Sequence, residues 1–223
     1  MKLGLLGGTF DPVHHGHVSA ARAARESLAL DRVLFIPSNL PPHRQRAPLA
    51  SAFDRFAMIA LAVDGEPAFE ASDLELSRPG ASFSIDTLHA LHREGWQPMQ
   101  LFFITGIDAF ADIRTWKGFP ELLAAAHFVA VTRPGYKPGV LTTSLPDLAS
   151  RLVDASLLAR QTGTTPTRIT LIEAETADVS STDLRRRLAS RESLEGLVPD
   201  AVERYIHKHR LYLGHPQASP LHG

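Results

Sequence analysis

Cysteine is missing from the 223-residue sequence. That excludes disulfides, thiolate zinc sites and cysteine nucleophiles, and it is compatible with a reducing compartment. Neither sign of charge is in excess: 23 Lys and Arg face 24 Asp and Glu, a formal net charge of −1. No global basic field exists, so no nucleic-acid or membrane partner is expected and any phosphate site has to be local. Long hydrophobic runs are missing too, because the N-terminal apolar run is broken by glycine and nothing approaches the roughly 20 apolar residues of a membrane span. A cytoplasmic protein is the expectation. Internal repeats, low-complexity blocks and clear linkers are also lacking. The length and the 44% hydrophobic content suit one α/β core, read as a single domain over 1–213 with 214–223 as a frayed tail.

What is there is concentrated at the N-terminus. Residues 2–8 read as a buried parallel strand that runs out of side chains at Gly7 and Gly8, where a large anion can approach bare backbone amides. Asp11-Pro12 starts a new direction. His14 and His17 then fall three apart at the opening of a helical run over 17–29, so both imidazoles share one face over its first turn. Imidazole donors at a positive helix end suit a polyphosphate. Zinc is the poorer reading, since neither His15 nor a nearby carboxylate is placed to complete a ligand set.

Further along, 32–37 reads as a second strand, and 38–48 as a proline-rich loop carrying His43, Arg44 and Arg46. A helix follows from a Ser51/Asp54 cap, with Phe56, Ile59, Ala60 and Val63 at helical spacing; 69–76 partly alternates as an outer strand does. A helix burying Leu88 and Leu91 ends near Gly95. The apolar run 101–106 ends in glycine as the first strand does, and two such ends side by side would form the crevice of a doubly wound sheet. Runs at 127–132 and 168–172 bring the strands to about six. The interval 134–167 is the least regular and receives no chemistry, and two more helices open at 179–180 and at Pro199.

Gly8-Thr9-Phe10-Asp11-Pro12-Val13-His14-His15-Gly16-His17 resembles the signature of adenylyl- and cytidylyltransferases with a His-x-Gly-His motif on a Rossmann-like sheet. Ser180-Ser181-Thr182 with Arg185 resembles a second segment of the same transferases, and further segments narrow the resemblance: Pro41-Pro42-His43-Arg44, Ser82-Phe83-Ser84-Ile85-Asp86-Thr87-Leu88, Phe103-Ile104-Thr105-Gly106-Ile107-Asp108 and Thr115-Trp116. Together they are similar to the bacterial nicotinate mononucleotide adenylyltransferase family, from residue 2 to about 213. The resemblance implies a Rossmann-like doubly wound parallel sheet of nucleotidyltransferase type.

It also implies roles. His14, His17 and Arg185 would act on the triphosphate. Gly7, Gly8, Thr9, Phe10, Gly16, Gly106, Asp108, Arg133, Ser181 and Thr182 would bind ATP. Asp11, His43, Arg44, Ser84, Thr87 and Trp116 would bind nicotinate mononucleotide, with Trp116 stacked on the pyridine ring. Read without the family, Ser180 and its neighbours are plain helix caps, Trp116 is a core residue, and Arg133-Pro134-Gly135 is a turn. The family pattern has Ser-Tyr-Thr where this chain has Ser82-Phe83-Ser84, which keeps the third hydroxyl and changes its reach.

The implied reaction moves AMP from ATP to nicotinate mononucleotide, giving deamido-NAD and pyrophosphate, with Mg²⁺ held mainly through ATP phosphates and no protein metal site. The nucleophile is an already ionised phosphate oxygen, so placement and charge carry the catalysis. Adenylyltransferases acting on nicotinamide mononucleotide, phosphopantetheine or flavin share the opening motif, and an ATP sensor would keep the glycines. The oligomeric state is not readable.

Overall fold

The structure, a computed structural model, describes residues 1–42, 47–132, 136, 139–160, 166–175 and 179–213. His43, Arg44, Arg133 and the 214–223 tail lie outside the described residues. The strands are β1 (Leu3–Gly8), β2 (Arg32–Pro37), β3 (Phe69–Ala71), β4 (Leu101–Gly106), β5 (His127–Thr132) and β6 (Ile169–Glu173). They form one six-stranded sheet in the order β3-β2-β1-β4-β5-β6, every pairing parallel. The chain winds outward from β1 to β3, then returns to the middle at β4. This reversal makes the β1/β4 border a topological switch point, where the carboxyl ends of both strands face an open crevice.

Both faces of the sheet are buried, which is why its strands read as unbroken apolar runs. Successive side chains alternate between two cores. Leu6, Phe35, Phe102, Ile104 and Val129 face one, with α1 (His15–Leu28) and α2 (Ala52–Val63). Leu5, Phe103 and Phe128 face the other, with α3 (Ser84–Arg93) and α4 (Ile107–Ala111). Within 134–167, the short helices α5 (Gly139–Ser144) and α6 (Ala155–Arg160) flank a 3-10 turn over Pro146–Arg151, so that region is more regular than expected. Then come α7 (Ser181–Ala189), capped by the Ser180 hydroxyl accepting from Asp183 N–H at 3.1 Å, and α8 (Asp200–Lys208).

Three local expectations shift. The outer strand stops at Ala71, and just past it the Ser72 hydroxyl accepts from Leu74 N–H at 3.4 Å in a local turn. The inward face of α2 is Arg55, Met58, Ile59 and Val63, while Ala60 is exposed. Helix α1 begins at His15, two residues early, with His14 as its N-cap.

Candidate active site

The turn after β1 places its two histidines by short-range contacts. His14 N–H donates to Nδ1 of His17 at 3.3 Å, and the rings stack with centroids 3.7 Å apart. Phe10, in the left-handed region at φ 51°, sets its ring edge-on to His17 at 4.9 Å. Because His17 Nδ1 is an acceptor, its neutral ring carries the proton on Nε2, where it is free to donate. Burial, helped by the neighbouring His15, pushes His14 down to about 4, and burial together with His14 pushes His17 well below the usual histidine range. The pair is therefore neutral at pH 7. Gly16 is needed beneath it: a Cβ there would sit 3.0 Å from His14 Nδ1.

These imidazoles line a cleft of about 310 Å³ over the β1/β4 border, together with Gly7, Gly16, Gly106, Asp108 and Val179. Gly106 caps α4, and a Cβ on it would meet nothing, so the glycine leaves the cleft floor open. Val179 leads into α7, whose first turn is lashed to the β1–α1 turn. Ser181 Oγ donates to Pro12 O at 2.9 Å, and Arg185 donates to Asp11 O at 2.7 Å and to Thr182 Oγ1 at 3.1 Å. Arg185 is thus brought to the same end of the sheet as the histidines, behind the turn that carries His14, although neither it nor Ser181 nor Thr182 lines the cleft.

A second cleft of about 270 Å³ lies on the β2 side of β1 and shares Gly7, Thr105 and Ala109 with the first. Gly8, Thr9, Ser84 and Trp116 line it, and Trp116 is held edge-on to Phe103 at 5.9 Å. Two ligands can therefore meet above one strand end, an anionic chain beside the histidines and a flat ring beside the tryptophan.

Besides Arg185, Ser181 and Thr182, three more of the expected ligand contacts stand outside both clefts. Phe10 is 1% exposed and packs in the core. Asp11 is likewise 1% exposed; its carboxylate accepts from Leu49 N–H and Ala50 N–H, each at 3.0 Å, and from Tyr212 OH at 2.8 Å. Thr87 is fully buried and donates to Glu75 Oε1 at 2.5 Å while accepting from Arg78 at 2.6 Å.

Other residues went unnoticed in the sequence. Arg55 donates to Thr9 O at 2.8 Å, and the signal available was an arginine at helical spacing from Met58, Ile59 and Val63. Glu75 and Lys117 line the second cleft, and Ser38, 8% exposed, adds a hydroxyl without a hydrogen-bond partner among the described residues. Tyr212 carried no local signal at all. Among the described residues no group of three or more His, Asp or Glu could hold a metal, and no helix is long and apolar enough to cross a membrane.

A switch-point crevice with paired imidazoles on one side and a tryptophan-lined slot on the other defines the class: an α/β nucleotidyltransferase fold. The cytidylyltransferase-like family profile matches residues 5–187. Proteins named as nicotinate-nucleotide adenylyltransferases are similar over nearly the whole chain. The one from Moorella thermoacetica is 41% identical over 95% of this chain and 91% of its own, and the one from Symbiobacterium thermophilum 42% identical over 95% of each. The chain belongs to the nicotinate-nucleotide adenylyltransferase family within that wider group. The fold is also that of the Plasmodium falciparum nicotinic acid mononucleotide adenylyltransferase complexed with NaAD, at a TM-score of 0.69 and 17% identity, covering 95% of this chain and 97% of that one.

Proposed function

We propose that this protein transfers AMP from ATP to nicotinate mononucleotide, releasing pyrophosphate and giving nicotinate adenine dinucleotide. The observation that carries this is the meeting of two clefts at Gly7, Thr105 and Ala109, one with the imidazole pair and the other with Trp116. Their arrangement suits in-line attack: a phosphate oxygen of the mononucleotide bonds to the α-phosphorus of ATP as the bond to the bridging α–β oxygen breaks. The attacking oxygen is ionised at neutral pH, so no side chain has to remove a proton.

His17 Nε2–H and His14 then serve as neutral donors to phosphate oxygens, since their low proton affinity keeps both rings unprotonated until substrate arrives. Arg185 holds the turn bearing His14 and adds a fixed positive charge behind the leaving pyrophosphate. Asp108, exposed at the rim, can reach ribose hydroxyls. The donor set, a lone rim carboxylate and no acidic cluster among the described residues, fits Mg²⁺ carried on triphosphate oxygens and water. When bound, the ion neutralises charge on the β- and γ-phosphates.

The test is pyrophosphate release from ATP with nicotinate mononucleotide added. Release dependent on the mononucleotide supports the reading. Release without it, or none with either the acid or the amide mononucleotide, overturns it.

A further inference from the structure

Among the described residues lining the Trp116 cleft, two side chains carry formal charge, Glu75 and Lys117. They are placed very differently. Glu75 is 7% exposed and held by Thr87, with the Arg78 guanidinium 3.9 Å away, and burial pushes its carboxyl up. Lys117 follows Trp116 directly and is half-exposed. Its Nζ lies 2.9 Å from Asp86 Oδ2 and 4.5 Å from the centre of the Phe83 ring.

Phe83 lines the cleft and Asp86 does not, so the ammonium is parked at the mouth between a cleft wall and an outside carboxylate. Both tethers are weak, one an exposed ion pair and the other an exposed cation–π contact. The four-carbon stem can therefore exchange Asp86 for an anion arriving on the neighbouring indole.

On the proposed reaction, which this inference rests on, the ring seated at Trp116 bears either a carboxylate or, in the competing substrate, a neutral carboxamide. We propose that the Lys117 ammonium reads that group, making Lys117 a specificity-determining residue that favours the acid over the amide. A charge-assisted hydrogen bond forms with the acid alone, while the amide's own N–H donors face the cation. Asp86 opposes this preference by competing for the same ammonium.

The experiment compares Lys117→Met, Lys117→Arg and Asp86→Ala with the unaltered protein. It uses the acid-to-amide ratio of kcat/KM and, independently of turnover, the ratio of calorimetric affinities for the two mononucleotides. The ratios should fall about ten-fold in Lys117→Met, hold within about three-fold in Lys117→Arg, and rise in Asp86→Ala. A purely structural Lys117 would alter stability and leave the ratios alone. Unchanged ratios in Lys117→Met, or a fall in Asp86→Ala, overturn the inference. Should Lys117→Met not fold, the Asp86→Ala result alone decides. A protein that binds the acid preferentially through Lys117 yet makes no dinucleotide overturns the reaction and leaves this inference standing.

Discussion

Gly16 shows how one missing methyl group can matter to chemistry more than to stability. Alanine at this position favours the helix by roughly 1 kcal/mol over glycine. Yet its Cβ would lie 3.0 Å from Nδ1 and 3.1 Å from Cε1 of His14, and His14 is stacked on His17 and only 7% exposed, so the ring has little room to yield. The two effects oppose in stability and act together on geometry. Gly16→Ala is expected to leave the thermal midpoint within a few degrees of the parent while lowering kcat about ten-fold or more, read by differential scanning calorimetry beside a turnover assay. His17→Ala removes the donor itself. Its kcat is expected to fall roughly 10² to 10³-fold with an unchanged far-ultraviolet dichroism spectrum. Parental turnover in that variant would remove the histidine from the chemistry.

Among the elements, the last described turn of the chain does more than end it. Tyr212 reaches back to Asp11, and burial plus the adjacent carboxylate push its hydroxyl far above the usual tyrosine range, so it remains a donor at every working pH. Asp11 thereby joins four segments: its own turn, the entry to α2 at Leu49 and Ala50, α7 through Arg185, and the turn at Tyr212. Tyr212→Phe leaves the carboxylate its other donors and is expected to cost about 1–2 kcal/mol. Asp11→Ala strands two backbone amides and a hydroxyl together, so a loss of about 3 kcal/mol or more is expected. Urea titrations of both variants test the order, and equal losses would mean the carboxylate is not the hub.

Such joints explain what the sequence could and could not disclose. Strands buried on both faces announce themselves as apolar runs, and Ser51 and Ser180 announce their helices by capping spacing, so the sheet and α7 were legible locally. His14, Gly16, His17 and Trp116 were legible as candidates because their motifs are compact in the chain, and the structure sets them along the two clefts. Asp11, Phe10 and Thr87 sit inside recognisable motifs yet are buried against protein partners, and a motif does not encode burial. Tyr212 and Arg55 act through partners distant in the chain, which no local pattern encodes.

At the scale of the whole molecule, the histidines tie stability and ligand binding to pH. His14 and His17 stand at the carboxyl end of the sheet. His127 stands at the start of β5, stacked on Phe102 at 4.8 Å, its Nδ1 accepting from Arg168 N–H at 3.0 Å. Burial holds His14 and His127 down at about 4 and His17 well below the ordinary 6.5. In all three the folded value is depressed, so below pH 6.5 the unfolded chain takes up protons that the folded protein refuses. Their contribution is fully present above pH 6.5 and is lost as pH falls from there toward 4. Each steepens the slope by up to about 1.4 kcal/mol per pH unit.

Urea midpoints followed from pH 7.5 to 4.5 should therefore fall, and His127→Asn, which keeps an acceptor for Arg168 N–H, should flatten the slope by about one proton. On the proposed reaction the other two histidines meet the ligand. A pyrophosphate anion against His14 and His17 favours their charged forms, so its binding should take up protons near pH 6 and shrink the slope further. Calorimetric titrations of pyrophosphate in buffers of differing ionisation enthalpy measure that uptake directly. The parent is expected to show it, His127→Asn to show as much, and a variant with both His14 and His17 replaced by Ala to show less. Uptake undiminished in the double variant would place the titrating groups elsewhere.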